Sequence, residues 1–155
     1  MSTMAPTRQT TVERARRIPL IAGPAAASEA RGQVRAAIHA WDVPVDQNTA
    51  VLLTSELVTN AIRHEPGETV LLAITCARGQ FRVDVHDRSS FIPVPVDGPP
   101  DAETGRGLML VTSMSTQWGY YWTPAGKAVY FTLAFEAGPD EDGPRRPRRT
   151  SRCVR

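Results

Sequence analysis

Glu56 and Asn60 stand four residues apart in "ELVTNAIRH", inside an otherwise apolar helical pattern. Four residues on a helix span about 40° around its axis, so both side chains point the same way and border the apolar stripe. The pair reads in two ways. It is an ordinary polar i,i+4 pair on a solvated edge with Arg63 nearby, or it divides a chemical task. In the second reading Asn60 offers a neutral oxygen to Mg²⁺, an ion that takes few protein ligands and fills its shell with phosphate oxygens and water. Glu56 then accepts the proton of an attacking water or hydroxyl.

Asp87 is also out of place. In "FRVDVHD" the alternation sets Phe81, Val83 and Val85 on one face and Arg82, Asp84 and His86 on the other. The same period puts Asp87 on the apolar face, where a carboxylate is costly unless something pairs with it. Either the strand has ended and Asp87 caps the loop, or its carboxylate accepts a hydrogen bond from a ligand amine at a pocket mouth. The exocyclic amine of adenine would fit. In "ETGRGLMLV", Gly105, Arg106 and Gly107 lead into an apolar helical run that opens with Leu108. Glycines let the backbone approach a phosphate, and a helix N-terminus offers unpaired N–H groups and partial positive charge. Arg106 could add a charge-assisted bond. The plain alternative is a loop-to-helix junction. The stretch is not a Walker loop, since no Lys-Ser/Thr ends it. Nor is it a dinucleotide fingerprint, since no strand leads directly into it. Between Asp87 and these glycines runs the long, Pro-rich "SSFIPVPVDGPPDAETG". A loop of this length suits a lid over a nucleotide or a disordered segment.

These residues need elements to hold them. "RIPLIA" suits a short edge strand, because Pro19 cannot donate to a ladder. Ala27, Ala30, Val34, Ile38 and Trp41 recur at helical spacing, with Pro24 suited to the first turn. Asp46 can cap a second helix with Ala50, Leu53, Leu57, Val58 and Ala61 on one stripe, ending near His64 ahead of Pro66. "TVLLAITC" and "FRVDVHD" read as strands joined at Arg78-Gly79. Leu108, Val111 and Met114 mark a third helix, and "QWGYYW" and "KAVYFTLAF" form a last hairpin around Pro124 to Gly126. Helices and adjacent strands segregate, so the expected class is α+β, helices on one face of a mainly antiparallel mixed sheet.

With 155 residues, 41% of them hydrophobic, the chain suits one domain with a real core. No apolar run approaches the roughly 20 residues of a membrane span. The basic N-terminus lacks the apolar segment of a secretory signal. A cytoplasmic protein with no membrane partner is expected. Cys76 and Cys153 form no CxxC, and a reducing compartment argues against joining them. The net charge of +2 is unevenly spread. Residues 1–17 hold four arginines against Glu13, and residues 136–155 hold six arginines against four acids, leaving an acidic middle. The basicity thus belongs to the ends and not to a folded face, which argues for solvated tails over a nucleic-acid arm. The expected organisation is a disordered basic arm over 1–16, a folded domain over 17–136 and a disordered Arg-rich tail over 137–155.

The order of these parts, the helix "ELVTNAIRH", a strand ending in Asp87, a loop and then "GRGLMLV", resembles the GHKL (Bergerat-fold) ATPase superfamily. That superfamily takes in histidine kinases, type II topoisomerases and a class of ATP-dependent chaperones. With no dimerisation helix or transducer domain, the chain looks most like the anti-sigma-factor serine/threonine kinases and the small stand-alone ATP-binding regulators of actinobacteria. The resemblance covers roughly Arg17 to Phe135. It implies a two-layer α/β sandwich that binds Mg²⁺ and ATP. Glu56 is then the general base, Asn60 the Mg²⁺ ligand, Asp87 the adenine-amine acceptor, and Gly105, Arg106, Gly107 and Leu108 the phosphate-binding segment. In such proteins the kinase phosphorylates a serine on an anti-anti-sigma (STAS-type) partner, which is released while the sigma factor is held. Homodimers are common among them.

The chain departs from the pattern in two places. "DRSSF" lacks the glycines of D-x-G-x-G, for which Pro93 can stand in. Ala128 occupies the place expected for a threonine near the adenine, which removes a hydrogen bond. His64 matches a residue common after the helix motif, and a helix-end cap or packing group is the expected role. A module that sequesters a sigma factor, with ATP as a structural ligand, is the alternative to a kinase. Simple ATP hydrolysis finds no support from second-protomer arms.

Overall fold

The computed structural model describes residues 13–64, 68–90 and 106–136. Asp46 shows how local chemistry sets an element there. Its Oδ1 accepts the Asn48 N–H at 3.1 Å, which satisfies a backbone donor that a helix start leaves orphaned, and its Oδ2 accepts the Thr49 hydroxyl at 3.0 Å. The chain runs β1 (Arg14–Ile21), α1 (Ala26–Ala40), α2 (Gln47–His64), β2 (Thr69–Ala77), β3 (Gln80–Asp87), α3 (Arg106–Met114), β4 (Gln117–Thr123), β5 (Gly126–Ala134). That is the order expected from the sequence. Pro24 falls just before α1 and not within its first turn.

The sheet order is β1-β2-β3-β5-β4. The class is the expected α+β, and every ladder among the described residues is antiparallel. Arg78 (φ 52°) and Gly79 (φ 73°) both take left-handed backbone, as a two-residue hairpin turn that follows the strand twist requires. The β2–β3 turn is therefore as tight as the sequence suggests.

β1 begins at Arg14, ahead of the boundary expected at Arg17. Its edge position supplies backbone partners as far back as Arg14 opposite Cys76. Two arginines also find work there. Arg14 Nη1 donates to the Trp41 carbonyl at 2.9 Å, and the Arg16 guanidinium lies 5.5 Å from the Trp41 ring centre. Composition hid this, because arginines at an edge read as a solvated arm.

One face of the sheet packs on the helices. Leu20, Leu72, Ile74, Phe81, Val83, Val85 and Phe131 meet Val34, Leu53, Leu57 and Val58, all at most 2% exposed. The predicted α2 stripe is buried throughout. Leu108 and Val111 seat α3, while Met114, expected on the same stripe, ends the helix 39% exposed. No helix among the described residues is long and apolar enough to cross a membrane.

Candidate functional site

Asp87 closes β3 on the helix-facing side, in line with Phe81, Val83 and Val85. Antiparallel register sets it directly opposite Lys127. The Lys127 ammonium donates to Asp87 Oδ1 at 2.8 Å and to Oδ2 at 3.0 Å, and both side chains are only 3% exposed. Oδ1 also accepts the Ser89 N–H at 2.8 Å. Asp87 thus caps the turn that follows, as the first sequence reading had it, and it lies on the apolar side of the sheet with its charge paired to Lys127.

Register also corrects the expectation about Ala128. That residue faces His86 and so lies on the opposite side of the sheet. Lys127 is the residue beside Asp87. The two strand ends meet so closely that a Cβ on Gly126 would collide with the Asp87 carbonyl and approach Arg88 Cα to 2.6 Å. Glycine at 126 is what allows Asp87 and Lys127 to come level. Across the next ladder Trp122 pairs with Lys127 and is 57% exposed.

Glu56 sits on α2 with its carboxylate against Gly107, the second residue of α3. A Cβ added at Gly107 would run into Glu56 Oε2 and lie 3.2 Å from its Cδ. A carboxylate is well placed there, because the first turn of a helix presents unpaired N–H groups and partial positive charge. Asn60 follows Glu56 by about one helical turn and is half-buried. Leu108 is 3% exposed and anchors the first turn of α3 in the core. The structure thus brings Glu56 and Gly107 together, with Asn60 on the same helix. Pro93 and Gly105 lie outside the described residues, as do the side chains of His64 and Arg106, Pro66, and the expected lid from residue 91 onward.

The outer face of β3 holds a second polar cluster. Asp84 is 5% exposed. Arg82 grips it from Nε at 2.7 Å and Nη2 at 2.9 Å, and the Tyr121 hydroxyl donates at 2.7 Å. The Arg82 guanidinium lies 4.0 Å from the Tyr130 ring centre. Burial, and then the bond to Asp84, pushes the Tyr121 hydroxyl up to about 12. The bond to Asp84 raises Arg82. Loss of water around His86 lowers its imidazole, against the pull of Asp84. Alternation places Arg82 and Asp84 on one face of β3, but Tyr121 belongs to β4, two strands away, and no local pattern announces it.

A family model of the histidine kinase-like ATPase domain matches residues 20–133. Among solved structures, the chain is similar to the RsbU and RsbW domains of Rv1364c from Mycobacterium tuberculosis. The sequences are 20% identical, with a TM-score of 0.57, over 79% of this chain and 32% of the other. The chain thus spans about a third of that longer protein, and the likeness is one of fold. No curated protein matches it.

Proposed function

The chain belongs to the histidine kinase-like ATPase family, and from that premise we propose that it is an ATP-binding regulator: an anti-sigma factor that phosphorylates a serine or threonine of an anti-anti-sigma (STAS-type) partner. The observation that carries the reading is the contact between Glu56 and Gly107. It sets a carboxylate against the helix terminus that would receive phosphates. A buried carboxylate at Asp87, on the helix-facing side of the sheet, supplies an acceptor for a base.

The residues fit Mg²⁺ and ATP. Asn60 offers the neutral oxygen that Mg²⁺ accepts, and Gly107 keeps the α3 N-terminus free of side-chain bulk. When bound, ATP supplies the phosphoryl group, and the cation offsets its charge. Glu56 takes the proton of the attacking hydroxyl. The N–H groups of the first α3 turn, with Gly105 and Arg106, would hold the phosphates, and Asp87 would orient the base, with Pro93 standing in for the glycines the motif lacks. A sigma factor bound elsewhere on the surface is retained or released according to the partner's phosphorylation. The setting is the cytoplasm, with no direct contact to nucleic acid or membrane.

Purified protein, γ-labelled ATP and a candidate STAS-type partner test this. Label should reach a serine or threonine of the partner. Glu56→Gln should slow transfer by roughly 10²–10⁴-fold while nucleotide affinity holds. A wild-type protein that binds ATP and a sigma factor but transfers no label is the sequestering module instead.

A further inference from the structure

Lys127 enters none of the roles above, yet it is the only side chain among the described residues found bonded to the Asp87 carboxylate. Counting donors and acceptors shows what the pair still offers. A carboxylate oxygen has about two lone-pair positions, and an ammonium has three protons. Asp87 Oδ1 accepts both the Ser89 N–H and Lys127, so it is full. Among the described residues Oδ2 accepts Lys127 alone and keeps one position. Lys127 directs at most two of its protons to Asp87, which leaves at least one for another acceptor. The dry strand end therefore presents one acceptor beside one donor.

An aminopurine edge is the complement of that arrangement. Adenine places its 6-amino donor next to the N1 acceptor. Guanine also sets an acceptor, O6, beside its N1–H donor, so the pair reads a purine edge and does not by itself reject guanine. We propose that Lys127 is a second base-reading residue: still paired to Asp87, its ammonium donates to adenine N1 while the 6-amino group donates to Asp87 Oδ2. This rests on the reading that an adenine nucleotide binds with its base at Asp87. Lys127 suits the role because an ammonium on a flexible stem can turn a proton toward a ligand without leaving its partner. Its 3% exposure matters as well, since a hydrogen bond counts for more where water is excluded and a mismatch there leaves a group unpaired.

The test titrates the full chain with the Mg²⁺ complexes of ATP and 1-deaza-ATP by calorimetry. 1-Deaza-ATP keeps the amine but replaces N1 by C–H. Wild type should bind it at least roughly tenfold more weakly than ATP, the factor expected for one lost bond to a charged donor. Lys127→Met should bind ATP more weakly than wild type does and no longer distinguish ATP from 1-deaza-ATP. Equal wild-type affinity for ATP and 1-deaza-ATP, or tighter ATP binding by Lys127→Met, overturns the proposal. Should Lys127→Met fail to fold, the comparison on wild type decides alone. If wild type binds no ATP, the parent reading falls and takes this one with it. If it binds ATP but ignores the loss of N1, only the role of Lys127 falls.

Discussion

Strand β3 carries two buried aspartates three residues apart, and the pleat sends them to opposite faces of the sheet. On the outer face Asp84 is held by the planar fork of Arg82, itself laid on Tyr130, and by the Tyr121 hydroxyl. On the helix face Asp87 has, among the described residues, one side-chain partner, the point charge of Lys127, and a backbone N–H. Each carboxylate thus has a cation, but the cations differ in kind. A guanidinium fork fixes its geometry and stacks, which suits a strut between strands, whereas an ammonium can re-aim its protons. The surroundings differ too. The Arg82 side chain is 37% exposed, while Lys127 is 3% exposed. A closed, half-wet cluster stiffens the sheet. A dry pair with donor and acceptor to spare is equipped to meet a ligand.

The sharpest way to break this contrast is Asp87→Ala. It strands the Lys127 ammonium without a counter-charge in the core, and the loss should be about 3–5 kcal/mol in urea unfolding. Asp87→Leu combined with Lys127→Met should restore most of that stability, because removing both charges of a buried pair is close to neutral, yet ATP binding should stay absent. If the double variant still binds ATP, the helix-face pair is a strut like the outer one. Next comes Asp84→Ala, expected to lose about 2 kcal/mol, since Arg82 and Tyr121 can turn to water. Its ATP affinity, measured on the folded fraction, should be unchanged.

The smallest effect concerns pH. Burial, and then the bond to Asp84, push the Tyr121 hydroxyl up to about 12 in the fold, from an ordinary 10. The unfolded chain therefore releases this proton first. The contribution of Tyr121 to stability is complete below about pH 10 and declines as pH rises toward 12. Tyr121→Phe should remove that share of the alkaline decline, read as a smaller difference in unfolding free energy between pH 9 and 11. An identical decline in both proteins would detach Tyr121 from Asp84.

Much of this could be read from the residues in order. Asp46 caps α2, Arg78-Gly79 reverses the chain, and the alternation of β3 marks Asp87 as facing the core, because each signal lies within a few neighbouring residues. The partner of Asp87 could not be read so. It lies 40 positions away, and a lysine in "GKAVYF" looks like any solvated strand residue. A shift of one residue in register exchanges Lys127 for Ala128 at the site, and only the ladder fixes which faces inward. β1 extended further than its composition suggested for a related reason. Arg14 and Arg16 are held by Trp41, which belongs to the far end of α1. The match between Glu56 and Gly107 joins two helices separated by the β2–β3 hairpin and the loop, so spacing could name both residues but not the contact.

For anyone threading an epitope or a dye-labelling cysteine into the last hairpin, the two sides of its turn are not equivalent. Pro124 and Ala125 are exposed and leave space for added chain. One position further on, any side chain at 126 must push the backbone of residues 87 and 88 aside. An insertion ahead of Gly126 should therefore leave the pairing of Asp87 with Lys127 intact, while a single methyl at Gly126 would disturb it.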